Sequence, residues 1–185
     1  MSRFPPFKNM INLRQFRPII RTSKLLFCPM SPQQAAINIL EELELKNQCP
    51  LPLQSVINHL GYHAQLFPKS DKTRNVACGV SADQKVIFAN SNDDKAEQRY
   101  SFAHAIGHTV LHPGKNFVIR KAHLHHTNET LEEWEANQFA DELLMNSDVF
   151  LRKWDEWGSV TSQVAGVFGL SKERINVRAK ALQLI

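Results

Sequence analysis

His104 and His108 stand four residues apart in a stretch that opens on Asn92-Asp93-Asp94 and closes on Pro113-Gly114. On a helix that spacing sends both imidazoles from one face about a turn apart, where they can share a metal ion. Spacing alone is weak evidence, because 8 histidines in 185 residues give about 0.3 such pairs by chance. His59 and His63 show the same spacing but enclose Gly61, which breaks a helix. His112 repeats the spacing from His108, yet it lies about 12 Å along a helix from His104, too far for those two to hold one ion. It suits a capping or supporting role beside the ligands.

The elements that must position these residues follow from apolar spacing and turn residues. Ser31 can cap a helix with Pro32 at its first position, and Ala35, Ala36, Ile39, Leu40 and Leu43 continue it to about Lys46. Leu53, Val56, Ile57 and Leu60 form a short helix stopped by Gly61, with an extended exit over 62–67. Strands are expected over 76–80 and 86–89, around the polar turn Ser81-Ala82-Asp83-Gln84. The histidine helix comes next, followed by a His-rich, loop-like stretch over 115–128. Leu131, Trp134, Phe139, Leu143 and Leu144 then mark a second long helix with acids near its start. Ser147-Asp148 can cap a third helix to about Trp157, and 160–184 reads as two helices around Gly169-Leu170-Ser171. The expected fold class is α+β, a small antiparallel sheet packed beside a helical bundle.

Composition sets the class of molecule. Hydrophobic residues make up 43% and charged residues 22%, with 7 Gly and 9 Pro, which argues against disordered and collagen-like chains. No apolar run approaches the ~20 residues that cross a bilayer, and Leu25-Leu26-Phe27-Cys28 is too short for a signal-peptide core. Three cysteines without close pairing suit a reducing compartment, so a cytoplasmic protein with no membrane partner is expected. The net charge of +4 is unevenly spread. Arg3, Lys8, Arg14, Arg17, Arg21 and Lys24 fall in residues 1–30 without an acid, whereas 31–185 holds 16 bases against 18 acids. Residues 1–30 read as a poorly ordered or added basic extension, with an Arg-rich targeting or nucleic-acid arm as the alternative, and 31–185 as the functional domain. Near the C-terminus, Ala165, Gly169 and Ile175 fall at the small, turn and apolar positions of a helix-turn-helix. Lys172, Arg174, Arg178 and Lys180 could then meet DNA, an alternative set against a structural or partner-docking role.

Two strings raise the histidine pair above chance. Arg99-Tyr100-Ser101-Phe102-Ala103-His104-Ala105-Ile106-Gly107-His108-Thr109-Val110-Leu111-His112 is followed by Glu133-Trp134-Glu135-Ala136-Asn137-Gln138-Phe139-Ala140-Asp141-Glu142-Leu143-Leu144-Met145. Together they resemble the ImmA/IrrE family of zinc metallopeptidases, over roughly residues 31–185. The resemblance implies a zincin-like domain with zinc on His104, His108 and Glu135, the last from the second long helix. Two neutral imidazoles and a carboxylate leave a tetrahedral zinc ion one open position for water. Glu132, Glu133 and the tract His123-Leu124-His125-His126 compete for the third place. The pattern departs at Ala105, where the family has the glutamate that serves as general base toward the attacking water. Alanine cannot exchange a proton, so ligands are kept while assistance worth about 10²–10⁴-fold is lost. Either an otherwise intact enzyme has been inactivated by substitution, or a pseudoenzyme uses the pocket for binding.

For activity, the resemblance implies site-specific endoproteolysis of a regulatory protein, a helix-turn-helix repressor or an antitoxin. A zinc-stabilised binding or transcription-regulating module, including the toxin partner of a DNA-binding antitoxin, is the alternative. Removing residues 1–29 should leave the melting temperature and metal content nearly unchanged, because no apolar period there predicts docking. A large fall in melting temperature would make the segment part of the fold.

Overall fold

Helix starts and stops follow the capping chemistry of the sequence. In the computed structural model, which describes residues 30–68, 75–120, 130–157 and 160–185, the Ser31 hydroxyl accepts from the Gln34 amide at the head of α1 (Pro32–Glu42). Helix α2 (Leu53–His59) leads through Gly61, at φ +74°, into strand β1 (His63–Phe67). Strands β2 (Val76–Ser81) and β3 (Val86–Asn90) form a hairpin. Asp94 caps α3 (Lys95–Leu111) by accepting from the Glu97 amide at 2.8 Å. Strand β4 (Phe117–Arg120) follows. Thr130 caps α4 (Leu131–Leu144), and α5 (Ser147–Glu156), α6 (Thr161–Phe168) and α7 (Lys172–Ala181) complete the chain. Gly169 takes the left-handed conformation at the end of α6 and Ser171 caps α7. The basic extension and the tract His123–His126 lie outside the described residues, apart from Met30.

The sheet departs from the expected antiparallel arrangement. Its order is β1-β3-β2-β4, and β1 runs parallel to β3, pairing His63 with Val86 through Phe67 with Asn90. The β2–β3 turn enforces an antiparallel pair, but β1 reaches β3 across an intervening strand and is free to lie parallel. β4 was expected as loop. It pairs antiparallel with β2, matching Gly79 with Val118 and Val80 with Phe117. Its exposed face hides the strand signal, since Val118 is 66% accessible while only Ile119 turns fully inward. Cys78, Val80, Ile87, Ala89 and Ile119 form the inner face of the sheet, which packs against α3. On the outer face the Phe88 ring covers Gly79, where a Cβ would sit 2.4 Å from it.

Helix α3 lies between the sheet and α4, and α1 packs mainly on α4 while also touching α3. One apolar cluster runs from Ala35 on α1 to Ala179 on α7, with Phe139, Phe150 and Phe168 fully buried in it. The Phe150 and Phe168 rings stack at 5.5 Å and tie α5 to α6. Arg99 stitches the layers together, donating through Nε to Phe168 O at 3.1 Å and through Nη2 to Leu51 O at 2.6 Å.

The C-terminal helices use their arginines internally, not toward DNA. Arg178 is buried against the Glu142 carboxylate and donates to Met145 O and to Ser147 Oγ, the latter at 2.9 Å. Glu142 also accepts from the Ser147 amide at 3.0 Å, so a carboxylate from α4, not a residue 147 or 148 side chain, satisfies the first amide of α5. Arg174 is buried beneath the Tyr100 ring, 3.5 Å from its centroid. Of the four basic residues that could have met DNA, Lys172 and Lys180 alone remain exposed. Removing one partner of a buried ion pair strands the other charge, so Arg178→Met should destabilise the protein by about 3–5 kcal/mol in urea titrations. Pairing it with Glu142→Gln, which removes the stranded charge but keeps an acceptor for the Ser147 amide, should recover part of that loss. A single-variant loss below about 1 kcal/mol would mean that the pair is not buried in solution.

Candidate metal centre

The site is built where α3 and α4 approach most closely. Gly107 makes the approach possible, because a Cβ there would lie 3.0 Å from Ala136 O and 3.1 Å from Ala136 Cα. His104, about a turn before this contact, and His108, the next residue after it, project toward α4, and both are fully buried. Glu133, in the first turn of α4, projects back. Its Oε2 lies 3.1 Å from His104 Nε2 and 3.5 Å from His108 Nε2, and the two Nε2 atoms are 3.1 Å apart. One ligand atom from each of the three residues falls within 4.8 Å of the others, which identifies the group as one that could hold a metal ion.

The expected third carboxylate, Glu135, sits elsewhere. It is two residues from Glu133, about 200° around the helix at 100° per residue. Its Oε2 lies 3.6 Å from His112 Nε2, with the side chain 31% exposed. Glu132 is also turned away, paired with Lys115. Periodicity could have pointed to Glu133: it shares a buried stripe with Ala136, Asn137 and Ala140, at the i, i+3, i+4 and i+7 positions of one helix face. His112 terminates α3, its amide bonded to His108 O, and its ring lies 5.4 Å from that of His108. It is thus the C-cap residue of α3.

The two imidazoles are oriented by different means. His104 Nδ1 lies 2.8 Å from Asn137 Oδ1, a hydrogen bond across the helix pair that sequence reading did not anticipate. His108 is held by packing. The Phe117 ring of β4 lies 4.1 Å from it, and its Nδ1 is a buried nitrogen without a hydrogen-bond partner among the described residues. Burial drives the His104 pKa below its ordinary value, against the raising influence of Glu133. Burial alone would raise the Glu133 pKa, but the close approach of the His104 and His108 rings outweighs it and holds the carboxyl well below its usual range. Both directions keep neutral imidazole and ionised carboxylate at neutral pH, the forms that ligate a metal.

This set suits a divalent cation. A tetrahedral ion with bonds of about 2.0–2.1 Å has ligand edges of about 3.4 Å, close to the observed 3.1, 3.1 and 3.5 Å triangle. Beside this group Ala105 is fully buried and carries no titratable atom; its carbonyl accepts from Thr109 Oγ1 at 3.0 Å.

A family model described as the IrrE N-terminal-like domain, a peptidase family, matches residues 59–180. That span takes in the whole sheet, both helices of the centre and its three ligand candidates. Among solved structures, the fold is similar to that of a Mycobacterium tuberculosis transcriptional regulator, with a TM-score of 0.54 at 13% identity over 78% of this chain. The aligned part is 44% of that protein, so this chain spans less than half of its length. No curated protein matches. With the family match covering about two thirds of the sequence, the chain belongs to the IrrE N-terminal-like domain family of peptidases.

Proposed function

We propose that His104, His108 and Glu133 hold zinc in an endopeptidase-type site that lacks its general base. In this reading the chain engages a regulatory protein, a helix-turn-helix repressor or an antitoxin, without cutting it efficiently. The carrying observation is the convergence of two imidazole nitrogens and one carboxylate oxygen within 4.8 Å in a buried setting. Two nitrogens and one oxygen are a usual ligand set for catalytic zinc with one position left open. When bound, zinc supplies Lewis acidity toward water and a peptide carbonyl. Position 105 adjoins His104, where a glutamate would take the proton from the attacking water and deliver it to the leaving amine. The Ala105 methyl can do neither. A cytoplasmic setting suits the free thiols of Cys49 and Cys78. Likeness in fold to a transcriptional regulator is in keeping with a regulatory partner.

A second reading, a zinc-stabilised binding or transcription-regulating module that never cleaves, draws support from one feature. Ala105 is fully buried, so the position is packed around a methyl, and a longer acidic side chain there would need room.

Metal content tests the ligand set first. His108→Ala and Glu133→Gln should each lose most of the roughly stoichiometric zinc measured by elemental analysis, while Glu135→Gln should keep it. Zinc lost from Glu135→Gln and retained by Glu133→Gln would overturn the assignment. Activity is tested separately with Ala105→Glu, incubated with a cognate repressor or antitoxin, with and without chelator, and read by mass spectrometry. Chelator-sensitive fragments from Ala105→Glu, at least about 100-fold faster than from the parent chain, are expected if the peptidase reading holds. A variant that retains zinc and binds the partner but never cuts favours the binding module. Efficient cleavage by the parent chain would show that the missing base has been misassigned.

A further inference from the structure

Asn137 lies four residues beyond Glu133, on the same buried face of α4, and is wholly inaccessible to solvent. Its Oδ1 accepts two hydrogen bonds, from the Tyr100 hydroxyl at 3.2 Å and from His104 Nδ1 at 2.8 Å. A carbonyl oxygen can only accept. Nδ1 is therefore the protonated nitrogen of neutral His104, and the lone pair is left on Nε2. Nε2 is the atom that faces both Glu133 Oε2 and His108 Nε2. Tyr100 is fixed in turn: its ring is fully buried, and the Arg174 guanidinium from α7 stacks 3.5 Å from its centroid. A continuous line of contacts thus runs from the C-terminal helix through an aromatic ring and an amide to the ligand atom of His104.

We propose that Asn137 is a positioning residue for the metal centre, holding His104 in the tautomer that ligates through Nε2, with Tyr100 braced by Arg174 as the second donor that keeps the amide oxygen in place. In the opposite tautomer a proton on Nε2 would occupy the position the metal needs. Among the described residues His108 has no such partner on its Nδ1, and the amide contact singles out His104. The tautomer is a property of the metal-free chain. Its consequence for affinity rests on the zinc reading above.

The test uses the full chain. Long-range nitrogen–proton NMR of the metal-free protein should show His104 protonated on Nδ1, and zinc affinity is measured by competition with a chromogenic chelator. Asn137→Asp keeps an acceptor and should retain both the tautomer and the affinity. Asn137→Leu is similar in size but cannot accept; it should shift His104 toward the Nε2-protonated form and weaken zinc binding by about 10–100-fold. Tyr100→Phe, which keeps the ring under Arg174, should cause a smaller loss of the same kind. An Nε2-protonated His104 in the parent chain would overturn the proposal, as would an Asn137→Leu variant that folds and behaves like the parent. Should Asn137→Leu fail to fold, loss of the tautomer in Asn137→Asp, or no change in Tyr100→Phe, still counts against it. The expected tautomers without zinc binding in any form would uphold Asn137 and overturn the metal reading.

Discussion

Contact between α3 and α4 at Gly107 sets the scale on which the rest of the molecule works. With Ala136 backbone 3.0–3.1 Å from where a Cβ would be, the two helices touch almost backbone to backbone. At that separation the short Glu133 and Asn137 side chains span the gap and meet the imidazoles on adjacent turns. With bulkier residues at the crossing, interaxial distances widen toward the usual 8–10 Å range and beyond, and the same side chains would fall short. The surrounding layers hold the crossing in place. The sheet backs α3, α1 backs α4, and β4 presses Phe117 against His108.

Much of this was legible in the sequence because local chemistry and tertiary packing agree there. Ser31 and Asp94 each sit before a periodic apolar run and each caps its helix. The histidine pair and its helix were readable for the same reason. The carboxylate that faces the pair was not, because Glu132, Glu133 and Glu135 are chemically alike and only the buried face of α4 distinguishes them. The parallel pairing of β1 was hidden as well, since strand composition does not encode direction. Asn137 escaped notice because an amide within an apolar stripe gives no signal until its partner is known.

The C-terminal helices show how misleading a charge pattern becomes without burial. Arg174 and Arg178 stand on α7 at the i, i+4 spacing of one face, and that face is turned inward. One guanidinium covers an aromatic ring and the other neutralises Glu142. The helix is thereby fastened to both long helices of the centre, to α3 through Tyr100 and to α4 through Glu142.

Complete burial of both imidazoles bears on time as well as on affinity. An ion seated between His104, His108 and Glu133 has no solvent-facing ligand edge on either histidine. Departure then requires the helix pair or its covering strand to open, and the rate of exchange is the rate of that opening multiplied by the chance of escape. For an ion held in this way, loading and loss would both be paced by that opening.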